Sequence, residues 1–111
     1  MTKAPPAPLL AALLASMREP EEVELFLRDL LTPSEREAIE ERWAIVQLLA
    51  EGLTQREVRD RLDVSIATVT RGSLQMQKSE GGFERALARA ARLAAGSPRA
   101  AGSARKRGAR S

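Results

Sequence analysis

An all-α fold is predicted by three features of the sequence. The apolar residues are mostly Leu and Ala, with one Trp, two Phe and no Tyr; this favours helices and lacks the β-branched and aromatic residues that strands prefer. Apolar positions recur three and four residues apart along much of the chain. Two stretches, "TPSE" from Thr32 and "TQRE" from Thr54, have the form of a capping box. In such a box a threonine side chain accepts from the amide three residues on, and the glutamate there accepts from the threonine amide. Together these predict six helices without an internal repeat, in a single small domain. A chain of 12.1 kDa buries only a modest core, so dimerisation is a natural further source of stability.

Taken in order, Met1–Pro8 is proline-rich and expected to be a disordered N-terminal arm. Leu9–Arg18 reads as a short helix stopped near Pro20. Pro20 suits the first turn of a second helix, followed by Glu21, Glu22 and Glu24 where the helix dipole favours anions. Val23, Phe26, Leu27, Leu30 and Leu31 then fall at helical spacing. Thr32 is the expected cap of a third helix, with Pro33 at its first position and Glu35 closing the box. That helix runs to about Ala50 and ends at Gly52, a residue suited to a left-handed stop. Thr54 and Glu57 open a fourth helix ending near Leu62, and Ser65 can cap a fifth from Ile66 to about Gln77. After "SEGG" a last helix covers Phe83–Ala95, with Phe83, Leu87 and Ala90/Ala91 on one side. The helical domain is thus expected over residues 9–95.

Composition excludes several functions. There is no cysteine and no histidine, which removes disulfides, thiolate metal sites and the commonest general base and metal ligand. The carboxylates Glu21/Glu22, Glu35/Glu37 and Glu40/Glu41 read as solvated helix-surface residues, so no catalytic residue, metal site or enzyme activity is expected. The longest apolar stretch, "PAPLLAALLASM", is too short to span a bilayer and carries no clear cleavage signal, so it reads as the first helix of a cytoplasmic protein. The net charge of +3 conceals an asymmetry. Residues 96–111 hold Arg99, Arg105, Lys106, Arg107 and Arg110 with no acid, which leaves the remainder at −2. This tail is expected to be disordered. It either strengthens DNA binding without sequence preference or only aids solubility.

The stretch "TQREVRDRLDVSIATVTRGS" has the pattern of a helix-turn-helix over about residues 54–77. Val58 and Leu62 point inward from its first helix, Val64 sits in the turn, and Ile66 and Val69 fall on or near the inner side of the second. Asp63 stands where many such motifs carry glycine, and aspartate tolerates a left-handed backbone better than most residues. Gln55, Arg56, Arg59, Ala67, Thr68 and Thr70 lie outside this inner set. Arg and Gln can meet phosphates or base edges, and Thr and Ala suit close approach in a major groove. On spacing alone, a helical hairpin with a solvated polar face remains open.

Two arginines narrow the choice. Arg42 stands in the row Ala38–Arg42–Ile45–Leu49, with no carboxylate three or four residues away; Arg71 is similarly placed among Ala67, Thr68, Leu74 and Gln75. Such a guanidinium either snorkels to solvent or meets a partner from elsewhere. Two in one small domain favour an anion or a planar ligand, which guanidinium can both stack on and chelate.

"LLTPSEREAIEERWAIVQLLAEG" followed by "TQREVRDRLDVSIATVTRGS" closely resembles the trp operon repressor family over roughly Leu30–Ser73. The most specific pieces are "LTPSERE", "SIATVTRGS" and Arg42. The resemblance implies an intertwined homodimer of six-helix chains that represses tryptophan-related genes, with L-tryptophan as corepressor and a near-palindromic double-stranded operator. By motif, Arg42 and Arg71 sandwich the indole and Arg71 meets the carboxylate. Leu31 and Thr32 come from the other chain, their carbonyls accepting from the ammonium, and Gly72 leaves space beside the ring. Ile66, Ala67 and Thr70 are implied at base edges, often through water, and Gln55, Arg56, Arg59 and Thr68 at phosphates or nearby bases.

Four departures stand out. Gln75 replaces a small polar residue near the ligand's polar end, and the segment between Gly52 and Thr54 is one residue shorter than usual. Trp43 replaces a smaller aliphatic, where packing in the core or dimer is its ordinary use. The basic tail is also atypical. Two other readings stay open at this stage: a related DNA-binding regulator responding to a different ligand or none, and a dimeric helical adaptor binding protein or RNA.

Overall fold

The computed structural model describes residues 7–96. They form α1 (Ala7–Ser16), α2 (Pro20–Leu30), α3 (Pro33–Ala50), α4 (Gln55–Leu62), α5 (Ile66–Gln77) and α6 (Gly82–Gly96). No strand occurs among the described residues. Residues 1–6 of the expected arm and residues 97–111 of the basic tail lie outside the described residues. α1 begins at Ala7, earlier than the apolar spacing suggests, and ends at Ser16, whose hydroxyl donates to the Leu13 carbonyl. The chain divides into two compact units, Met1–Glu40 and Glu41–Ser111, the division falling within α3.

In the first unit, α2 starts from an extended Glu19 with Pro20 in its first turn and Glu21 and Glu22 beside the positive helix end. Thr32 forms the reciprocal box that opens α3: its amide donates to Glu35 Oε1 at 2.9 Å, and the Glu35 amide donates to Thr32 Oγ1 at 3.2 Å. None of residues 9–40 is buried. Leu9 and Leu25 are 62% and 65% exposed, and Leu10, Leu13, Leu30 and Ile39 are exposed as well.

The second unit holds the core. Ile45 of α3, Val58 of α4 and Val69 of α5 are fully buried together, with Leu48, Leu49, Leu53, Leu62 and Val64 packed around them. Burying each such side chain contributes about 1.5–3 kcal/mol, so these contacts set how α4 and α5 cross. Both helices start from side-chain caps. The Thr54 amide donates to Glu57 Oε1 at 2.8 Å and the Glu57 amide to Thr54 Oγ1 at 3.1 Å, while the Thr68 amide donates to Ser65 Oγ at 3.1 Å. Between them Asp63 adopts the left-handed conformation, φ 57° and ψ 50°, and its amide donates to the Arg59 carbonyl. Gly52, at φ +101°, ends α3 in a conformation that side chains resist.

Ile66 differs from its expected placement. It is 41% exposed, because it is the first residue of α5, and Val69 one turn later fills the place against Ile45 and Val58. Among the described residues, no helix is long and apolar enough to cross a membrane.

Candidate functional site

The crossing of α4 and α5 determines which polar residues stand outside the core. Val58 and Val69 face inward, which leaves Arg56, Ile66, Ala67 and Thr70 exposed and Gln55, Arg59 and Thr68 half-buried. Four of these residues carry specific bonds. Thr70 Oγ1 donates to Gln55 Oε1 at 2.8 Å, joining the first turn of α4 to α5. The Thr68 and Ser65 hydroxyls share a hydrogen bond of 2.8 Å. Arg59 Nε donates to Asp60 Oδ1 at 2.9 Å, an exposed pair of the kind worth about 0–1 kcal/mol, weak enough for a phosphate to replace. Arg56 forms no ion pair among the described residues, so its charge is not committed within the described chain.

Of the residues implied at a ligand, Arg42 and Arg71 are both exposed and neither has a carboxylate partner among the described residues. The guanidinium of Arg71 makes one long contact, Nη2 to Thr68 Oγ1 at 3.5 Å. Arg71, an expected ligand residue, thereby touches one of the expected DNA residues. Gly72 has a role that motif matching did not indicate. It is buried in α5, and a Cβ there would lie 2.7 Å from Ile45 Cγ2, so the missing side chain is what lets α5 approach α3 this closely. The space it vacates within the chain is filled by Ile45. Leu31 and Thr32 belong to the first unit, with Leu31 half-buried and Thr32 exposed.

A groove of about 680 Å³ lies in the second unit, lined by Trp43, Gln75, Lys78, Ser79, Glu80, Gly82, Phe83 and Ala86. Gln75 is the one expected ligand residue in its lining; Arg42, Arg71 and Gly72 are not among these residues. Lys78 and Phe83 line this groove together with Trp43, an arrangement that depends on the turn between α5 and α6 and that no local sequence pattern indicates. The one signal available was that Trp43 and Phe83 are two of only three aromatic residues in the chain. Among the described residues no group of acidic side chains is arranged to hold a metal ion.

Two capped helices crossing on an aliphatic core, with a polar outer face and a left-handed turn between them, define a helix-turn-helix DNA-binding protein. The chain belongs to the Trp repressor family: the family model described as "Trp repressor protein" matches residues 8–91. This is a regulatory, DNA-binding family of transcriptional repressors. Among curated relatives, the Trp operon repressor homolog of Chlamydia caviae is 42% identical over 76 residues, covering 68% of this chain and 75% of that protein. The homolog of Vibrio cholerae is 44% identical over 69 residues, 61% of this chain and 67% of that protein. That of Actinobacillus succinogenes is 46% identical over 59 residues, 52% of this chain and 58% of that protein. No solved structure matches the chain.

Proposed function

We propose that this protein is a non-enzymatic, cytoplasmic repressor of tryptophan-related genes that binds a near-palindromic DNA operator as a homodimer, with L-tryptophan as corepressor. The observation that carries this reading is the outer face of α4 and α5, where Arg56 and Thr70 stand exposed beside Gln55 and Thr68. Ile66, Ala67 and Thr70 serve base edges; Gln55, Arg56, Arg59 and Thr68 serve phosphates or nearby bases. Exposure of Ile66 favours its place at a base edge, where an apolar contact suits a thymine methyl. Two-fold pairing of reading heads on successive major grooves is a docking geometry for which the Trp repressor is itself an established example.

Dimerisation is supported by the first unit. Leu9, Leu13, Leu25, Leu30 and Ile39 are large, apolar and exposed in the single chain, more than a small monomer usually leaves to water. A second copy supplies apolar cover for them. For the ligand, the supporting observation is that Arg42 and Arg71 lack carboxylate partners among the described residues. Both guanidiniums stack on the indole and Arg71 chelates the carboxylate. Gln75 lies beside it on α5, and the carbonyls of the partner subunit's Leu31 and the partner's Thr32 accept from the ammonium; Gly72, whose side-chain space Ile45 fills, acts by letting α5 sit close to α3. L-tryptophan then favours the DNA-competent arrangement by its differential affinity for that state.

The test is selection from a randomised duplex pool with L-tryptophan present, followed by salt titration of the selected duplex with wild type and Arg56→Ala. Wild type is expected to enrich a near-palindrome. Arg56→Ala is expected to weaken selected and scrambled duplexes alike and to lower the slope of log affinity against log salt by about one. Enrichment of no sequence, or an Arg56→Ala slope equal to wild type, contradicts the assignment.

A further inference from the structure

α6 presents a row of arginines that no acid of the described residues balances. Arg85, Arg89 and Arg92 are all exposed, and their spacing of four and three residues places them within about 60° of one another around the helix. Phe83, Ala86, Leu87 and Ala90 on the opposite side are half-buried, and Phe83 and Ala86 line the groove with Trp43. The helix is thus seated by its apolar side and turns its arginines outward. We propose that this arginine face is a second phosphate-binding surface, which takes the backbone of double-stranded DNA without reading its sequence. The proposal rests on the DNA-binding reading above and adds to it a helix outside the helix-turn-helix.

None of the three arginines forms an ion pair among the described residues. The one acid of α6, Glu84, accepts from Ser79 Oγ at 3.1 Å. Like charges three and four residues apart on a helix repel, so the row costs helix stability until an anion meets it. A shallow recess of about 400 Å³ is lined by Arg85, Ala88, Arg89 and Arg92; the small Ala88 leaves room for anionic groups between the guanidiniums. The sequence extends the same charge. Residues 85–111 hold these three arginines and the five basic residues of the tail with no acid, which leaves residues 1–84 at −5.

The form of this charge favours a nucleic-acid strand. The seven-residue step from Arg85 to Arg92 rises about 10 Å, and one DNA strand carries a charge about every 3.4 Å along the axis. The row therefore matches the charge of about three consecutive phosphates. Guanidinium holds phosphate oxygens through paired N–H donors, and such contacts add affinity without sequence preference. The acids Glu37, Glu40 and Glu41 of a second copy match the row but not the five charges that follow it. A DNA strand continues as far as the charges do.

The experiment uses the full-length protein with L-tryptophan, the duplex that wild type selects from a randomised pool, and a scrambled duplex. Salt titrations compare wild type with Arg85→Gln/Arg89→Gln/Arg92→Gln and with Arg85→Lys/Arg89→Lys/Arg92→Lys, each checked for helical content and oligomeric state. Glutamine and lysine have helix propensities close to that of arginine, and all three positions are exposed. The glutamine variant is expected to lower the slope of log affinity against log salt by about two to three per chain. At low salt it should weaken both duplexes by about tenfold or more, with the ratio between them unchanged. The lysine variant should keep most of the slope, since lysine still meets phosphate as a point charge. A glutamine variant with the wild-type slope overturns the α6 surface, and the operator reading stands if wild type still enriches a near-palindrome. A changed oligomeric state with an unchanged slope also overturns it and assigns the arginine face to a second copy. A collapse of the ratio between the duplexes overturns it as well, because the row then serves base readout. A wild type that binds no duplex overturns both the surface and the DNA-binding reading.

Discussion

Arg71→Ala is expected to abolish the L-tryptophan response of operator binding while leaving the fold and oligomeric state intact. The structure separates these outcomes because Arg71 contributes little to packing. It is exposed, has no carboxylate partner among the described residues, and makes one long contact to Thr68 at 3.5 Å. Its removal therefore creates no cavity and leaves no buried group unpaired. In the ligand-bound state the same guanidinium meets a carboxylate, and a hydrogen bond to a charged group is worth about 1.5–3 kcal/mol, a loss of about 10- to 150-fold in ligand affinity. Operator affinity without ligand should change far less. Arg71→Lys restores the charge without the planar fork and should recover only part of the response. The check is operator affinity measured with and without L-tryptophan. A wild-type response from Arg71→Ala contradicts the proposed pocket.

Gly72→Ala is expected to cost the most stability of any single-methyl change in the second unit. The added Cβ lies 2.7 Å from Ile45 Cγ2, and both residues are buried. Ile45 also packs with Val58 and Val69, so it cannot shift without disturbing the seat of α4 and α5. Overpacking of this kind costs about 1–3 kcal/mol, and for a domain of this size each kcal/mol lowers Tm by about 4–8 °C. Ile45→Leu removes the offending Cγ2 branch, so the double variant should recover part of the loss. Thermal unfolding followed by circular dichroism measures both. A Gly72→Ala protein as stable as wild type contradicts the close approach of α5 to α3.

What could be read before the structure was mainly local. The Thr32–Glu35 and Thr54–Glu57 boxes are set by residues three apart, and both form as their spacing implies. Asp63 takes the left-handed turn expected of it, since that conformation depends on one residue and its neighbours. Val58 and Val69 are buried because helical periodicity singles them out. Features requiring two distant helices were not legible. The bond from Thr70 to Gln55, the fit of Gly72 on Ile45 and the shared groove lining of Trp43 and Phe83 all depend on crossing angles that no local pattern encodes. The first unit shows the same limit from another side. Periodicity marks Leu30 as a residue suited to burial, yet a single chain leaves it exposed.

Calorimetric titration of the purified protein with L-tryptophan tests most directly whether L-tryptophan is the effector. Calorimetry avoids the emission of Trp43, which confounds fluorescence. The expected result is a saturable heat with about one ligand per chain, lost in Arg71→Ala, each bound ligand drawing on one Arg42 and one Arg71. An absence of heat across millimolar L-tryptophan contradicts it, and assigns control of this DNA-binding protein to another ligand or to none.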